Sequence, residues 1–187
     1  MEIPRTISNP VDGSTITFLK LPTETGGEYL QIEVTTMPHT GGPPMHYHPT
    51  ATEQFEVQDG VLYVTVSGEE HVLSAGEKLV VPPGTPHTFR TEAEGSRVIG
   101  TVTPPGRFVE FLTSEYALMR AGKLGEGAEG DLLAIAPWIH EFRDVSRATG
   151  PINYLFAVLA PLGRVLGNPR IPAYPTEKDA VETKSSE

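Results

Sequence analysis

Gly41-Gly42-Pro43-Pro44-Met45-His46-Tyr47-His48-Pro49-Thr50-Ala51-Thr52-Glu53-Gln54-Phe55-Glu56-Val57-Gln58-Asp59-Gly60 is the stretch on which the reading of this chain turns. Side chains on a strand alternate between faces, so an extended backbone points His46 and His48 the same way, and two adjacent imidazoles form half of a metal clamp. Glu53 lies an odd number of residues beyond His48 and would face away on an unbroken strand. Pro49-Thr50 interrupts the strand and allows the face to be reset. Downstream, Gly76-Glu77-Lys78-Leu79-Val80-Val81-Pro82-Pro83-Gly84-Thr85-Pro86-His87 brings one more imidazole just after a Pro/Gly turn. Three histidines and a carboxylate make a complete ligand set for a transition metal.

These two stretches resemble the paired motifs of the cupin superfamily, small β-barrels in which His-x-His, a Glu and a later His bind one metal. His46, His48, Glu53 and Gly60 keep the spacing of the first motif, and Gly76, Pro82, Gly84 and His87 that of the second. Two positions depart from the pattern. Thr40 stands where a leading Gly is usual, with Gly41 one step late, and Thr91 stands where Asn is common after the second-motif His. Neither removes a ligand. The resemblance implies a mainly β fold, a jelly-roll barrel, with one divalent metal (Fe, Mn, Ni, Cu or Zn) at His46, His48, Glu53 and His87. Among cupins with this ligand set, a single barrel followed by helices is similar to quercetinase-like proteins, where the metal binds an enolate-type substrate and the counterpart of Glu53 can also act as a catalytic base.

The barrel reading also stands without the resemblance. Thr15–Leu21, Tyr29–Met37, Phe55–Val57, Val61–Val66, His71–Leu73, Lys78–Val81, His87–Thr91 and Arg97–Thr103 are short β-rich runs separated by turn residues, the pattern of an all-β barrel or sandwich. Asp59-Gly60 between two such runs is a hairpin signal. Gly84 is expected to serve a turn needing positive φ. Glu56 and Tyr63 can line the pocket or face out, since a one-residue slip in register decides between them. His39, His71 and His140 lack partners and are read as solvent-facing or hydrogen-bonded.

After Pro104-Pro105-Gly106 the periodicity changes. Phe108, Phe111, Leu112, Tyr116 and Met119 recur at helical spacing and predict a helix over 107–123. A second helix is expected over 131–142, with Pro137 as a kink and Trp138 packed beneath a helix. A third, Ile152–Leu166, is apolar on nearly every side but too short to span a bilayer and broken by Pro161 and Arg164; it is expected to be buried or dimer-facing. The expected organisation is a barrel over 1–105, a helical C-terminal extension over 106–170 packed on the barrel or at a dimer interface, and a partly disordered tail over 171–187.

The 187 residues carry a net charge of −10 and no cysteine. The acidic balance argues against nucleic acid, which needs concentrated Lys and Arg. The lack of cysteine excludes thiolate ligands and disulfides and fits a reducing compartment. Met1-Glu2-Ile3-Pro4-Arg5-Thr6 is not followed by an apolar run, so no secretory signal is expected and a cytoplasmic location is. The functions in view are a metal-dependent oxidoreductase of dioxygenase type, a metal-dependent isomerase or epimerase of a small polar molecule, and a non-catalytic pocket that binds or senses a small molecule; in each case a homodimer is expected.

Overall fold

The structure, a computed structural model, describes residues 4–125, 130–166 and 174. The tail expected over 171–187 therefore lies, apart from Tyr174, outside the described residues. Nine strands come first: β1 (Thr6–Ser8), β2 (Thr15–Lys20), β3 (Leu30–Thr36), β4 (His46–Tyr47), β5 (Thr52–Val66), β6 (Glu69–Ser74), β7 (Lys78–Val81), β8 (His87–Arg90) and β9 (Ser96–Thr103). Helices α1 (Phe108–Arg120) and α2 (Leu132–Glu141), a two-residue strand β10 (Arg147–Ala148) and helix α3 (Ile152–Leu166) follow. All strand pairings are antiparallel, in the order β1-β2-β3-β9-β5-β8-β4-β10, with β6 and β7 also on β5.

Strand β5 organises the barrel. Its first half pairs with β7 and β9, and its second half with β6 and β8, so one strand passes from one sheet into the other. The expected hairpin at Asp59-Gly60 is corrected here: the chain runs straight on through it. The register against β9 shifts between Val57 and Asp59, a β-bulge that bends the strand around the corner. Gly60 is required there, because its φ is +73° and a Cβ would lie 2.1 Å from the Gly95 carbonyl oxygen. The extra residue also changes which positions face in. Before the bulge Phe55 and Val57 are buried, and after it Leu62 and Val64. Glu56 and Tyr63 consequently face out, Glu56 paired with Lys78 at 2.8 Å and Tyr63 beneath the Arg90 guanidinium at 4.6 Å.

Two apolar clusters hold the molecule together. Phe55, Val57, Leu62, Val64, Val81 and Val98 fill one part of the barrel. The larger cluster joins β1, β2, β3 and β9 to α1 and α2, through Ile16, Phe18, Ile32, Phe108, Ile135 and Trp138 among others. Trp138 packs as expected: it stacks on Phe111 at 5.0 Å and donates its indole N–H to Ser114 Oγ at 2.8 Å. The helices begin and end close to the expected bounds. Asp131 caps α2 by accepting from the Leu133 and Ala134 N–H groups.

Pro137 lies inside α2 and cannot donate to the Leu133 carbonyl. Gly163 of α3 sits against that carbonyl: a Cβ there would come within 2.2 Å of Leu133 O and 2.7 Å of Pro137 Cγ. That close approach seats one side of α3, through Phe156, Ala160 and Gly163. The other side is open, with Tyr154, Val158 and Val165 exposed, so no described residue covers that side of α3. No helix among the described residues is long and apolar enough to cross a membrane.

Candidate metal centre

The four side chains singled out in the sequence meet. On β4, His46 is the direct cross-strand neighbour of His87 on β8. His48 follows one residue after β4, and Glu53 enters from the start of β5 on the inward parity shared with Phe55 and Val57. One nitrogen from each histidine and a Glu53 oxygen lie within 4.8 Å of one another. Glu53 Oε2 is 3.1 Å from His48 Nε2 and 2.9 Å from His87 Nε2. His48 and His87 are buried, at 4% and 1% exposure.

The backbone decides what these rings offer. His46 Nδ1 is 2.9 Å from the Pro44 carbonyl, His48 Nδ1 2.8 Å from that of Val145, and His87 Nδ1 2.9 Å from that of Thr85. A carbonyl oxygen can only accept, so each Nδ1 carries the proton and donates it. Each neutral ring is left with its lone pair on Nε2, the tautomer a metal ligand needs, fixed by the hydrogen bond behind it. With every Nε2 bare, three lone pairs and a carboxylate face one another; a proton on the Nε2 of His48 or His87 would instead be donated to Glu53.

The electrostatics follow from that crowding. Burial disfavours an ionised Glu53, but hydrogen bonds from His48 and His87 and their charge outweigh it and hold the carboxyl well below the usual range. Burial, then the neighbouring His87 and His48, push His46 down to about 3. At His87 burial works against protonation, yet the Glu53 hydrogen bond and charge prevail and raise it. Without a cation the cage is balanced by protons. The same spacing would suit a divalent ion: two ligands about 2.1 Å from a metal in adjacent octahedral positions are about 3.0 Å apart, and the Glu53 oxygen stands 2.9 and 3.1 Å from its two histidine partners.

Comparison with known proteins bears on the same stretch of sequence. The cupin domain family matches residues 32–101, which hold all four side chains. That segment of the chain is a cupin domain. Quercetin 2,3-dioxygenase of Bacillus subtilis (strain 168) is 36% identical over 56 residues, which is 30% of this chain and only 17% of that protein. Among solved structures, KdgF from Halomonas sp. is similar with a TM-score of 0.44 and 22% identity over 49% of this chain and 78% of that one. An RmlC-like cupin from Shewanella frigidimarina NCIMB 400 has a TM-score of 0.46 and 24% identity over 52% and 82%.

In this cupin domain the two departures from the motif pattern have structural uses. The Thr91 hydroxyl donates to the Met37 carbonyl at 2.7 Å and accepts the Thr40 N–H at 3.2 Å, tying down the loop that precedes His46. Gly42 is the glycine that loop cannot lose: its N–H bonds the Phe89 carbonyl at 2.9 Å, and a Cβ would sit 2.3 Å from the same oxygen. Gly84 has the expected positive φ, 73°. His39, His71 and His140 stay outside the cluster.

Sequence reasoning missed five contributors. The Val145 carbonyl anchors His48, and β10 pairs with β4 through Ala148 opposite His46, so the segment expected to be helical also braces the site. Phe108 lays its ring edge-on to His48 at 4.7 Å. Ser14 and Glu115 line the cavity that His46, His48 and Glu53 open into. Carbonyls leave no trace in a residue pattern. Glu115 did leave one, since it lies four residues after Phe111 and four before Met119, a carboxyl on an otherwise apolar helical stripe.

Proposed function

We propose that this cupin is a metal-dependent oxidoreductase of dioxygenase type acting on a small chelatable organic molecule, with one divalent transition metal held by His46, His48, Glu53 and His87. The observation that carries the reading is the set of three Nδ1–H groups bonded to carbonyls, which turns three Nε2 lone pairs and a carboxylate onto one point. A divalent metal with four protein ligands supplies Lewis acidity and open positions for a chelating oxygen and for dioxygen. The chain supplies the rest. Glu53, kept ionised by its histidine neighbours, accepts the proton that an enol gives up on binding. Phe108 and the apolar wall formed by Ile16, Ile32 and Val34 exclude water and orient a flat body. The segment shared with quercetin 2,3-dioxygenase supports oxygen chemistry.

The test is oxygen uptake by metal-loaded protein on a panel of chelatable enols. Metal-dependent uptake is the expected result. Product formed without uptake would replace this reading with an isomerase, and binding without turnover would replace it with a sensing or carrier role. We also propose a cytoplasmic homodimer, supported by the absence of cysteine and by the open apolar side of α3.

A further inference from the structure

The cavity beside the metal centre has a second polar group that neither the fold nor the four ligands employs. Its volume is about 200 Å³, and its wall includes Asp12, Glu53 and Glu115 but no Lys or Arg. Ser14, from the turn leading into β2, is 5% exposed, and its Oγ is buried without a hydrogen-bond partner. Its backbone N–H is already satisfied by Asp12 Oδ1 at 2.7 Å, so the idle group is the hydroxyl alone. Glu115 comes from α1 and makes no ion pair or hydrogen bond among the described residues. Burial pushes its carboxyl up to about 7, toward a neutral form able both to donate and to accept. Buried polar atoms are ordinarily paired, and those left idle in a cavity wall are the ones a ligand satisfies.

The helix sets the span. Phe108 touches the His48 ring, and Glu115 follows it by seven residues on the same face of α1, two turns or about 10 Å along the axis. A cavity of about 200 Å³ equals the liquid volume of about seven waters, enough for one substituted ring. An acidic wall without a basic side chain opposes a carboxylate or phosphate on that ring. We propose that Glu115 and Ser14 form a second recognition pole, which binds the distal hydroxyl of an uncharged single-ring molecule whose other end chelates at the His46–His48–Glu53–His87 cluster. This rests on the metal-centre reading and adds the substrate class to it.

Three 5-hydroxy-4-pyranones test the pole, because they share the chelating head and differ only at position 2: kojic acid carries a hydroxymethyl group, allomaltol a methyl and comenate a carboxylate. Titrated calorimetrically into zinc-loaded full-length protein, kojic acid is expected to bind about tenfold more tightly than either of the others. Ser14→Ala and Glu115→Ala each reduce kojic acid to the allomaltol level at unchanged zinc content, whereas Glu115→Gln, which still donates and accepts, keeps most of the preference. Equal affinity for kojic acid and allomaltol overturns the proposal. So does tighter binding of comenate, a preference that survives Ser14→Ala and Glu115→Ala, or no binding of any probe. Should Glu115→Ala not fold, Ser14→Ala and Glu115→Gln still decide the matter. The two readings fail separately: discrimination among probes without oxygen uptake on the enol panel removes only the dioxygenase, and uptake without discrimination removes only the pole.

Discussion

Glu115→Gln offers a direct measure of what the cavity costs the fold. The carboxyl has no cationic partner among the described residues, and burial alone raises it from 4.5 to about 7. A carboxyl whose folded pKa lies above its unfolded value holds its proton more tightly in the native state. Its contribution is therefore intact below about 4.5 and is lost as pH rises toward about 7. At about 1.4 kcal/mol per pH unit, the gap amounts to on the order of 3 kcal/mol as a ceiling, which water reaching the cavity reduces. For a chain of this size 1 kcal/mol moves Tm by about 2–4 °C, so the ceiling is about 6–12 °C. Glutamine keeps the shape and removes the proton. The assay is thermal or urea unfolding of metal-free wild type and Glu115→Gln from pH 4.5 to 8. Subtracting the two curves cancels Asp12, Tyr116, Glu53 and the histidines, which line or adjoin the same cavity. The variant is expected to gain on the wild type steadily as pH rises to about 7 and to run parallel above it. Curves parallel throughout would show that the carboxyl is solvated in both states, and the reasoning about its burial would fall.

Other perturbations read other parts of the structure. His46→Ala, His87→Ala and Glu53→Gln should each lower bound transition metal, measured by elemental analysis, from about one per chain to under about a tenth. Because a proton on His87, favoured by the Glu53 carboxylate, competes with the ion, wild-type metal content should also fall as pH drops below about 6; content that stays flat would mean the ligands are wrongly assigned. Gly42→Ala forces a Cβ to 2.3 Å from the Phe89 carbonyl, so a loss of about 1–3 kcal/mol in urea unfolding is expected. Metal affinity should weaken with it, since that loop leads directly into His46 at the start of β4. Val158→Asp on the open side of α3 should convert a dimer to monomers by light scattering while leaving metal content unchanged; a wild type that is already monomeric removes the interface.

The meeting of His46, His48, Glu53 and His87 was legible because their spacing is local and their residue types are chemically specific. The route that brings Glu53 inward was half legible: Pro49-Thr50 announced a break, and the structure places Glu53 on the same side as Phe55. The corner at Asp59-Gly60 was misread for a physical reason. A hairpin and a bulge both need a residue tolerant of positive φ, so Asp-Gly marks either, and only the pairing of β5 with β9 running on through Asp59 and Gly60 distinguishes them. The same uncertainty hid the direction of Tyr63, whose neighbours change parity at the bulge. Helices α1 to α3 were readable from periodicity. The use of the first two over the cavity was not, since it depends on contacts such as Phe108 with His48 that join separate elements.

The family match ends at residue 101, yet the site does not. Two of the three carbonyls that fix the histidine tautomers, those of Pro44 and Thr85, lie two residues from the rings they hold, so local turn geometry suffices for His46 and His87. His48 is different: its anchor, Val145, is 97 residues away, beyond α2, on the segment that leads into β10. Val145 belongs to the same apolar cluster as Ile16, Ile32 and Phe108, so the anchor cannot move without disturbing the wall of the cavity. Losing that hydrogen bond would free the His48 ring to rotate or to take its proton on Nε2, where it would face Glu53 as a donor and no longer as a ligand. The barrel thus carries the candidate ligands, while the helical segment determines whether one of them presents a lone pair. Metal affinity and the packing of α1 and α2 are expected to rise and fall together for that reason.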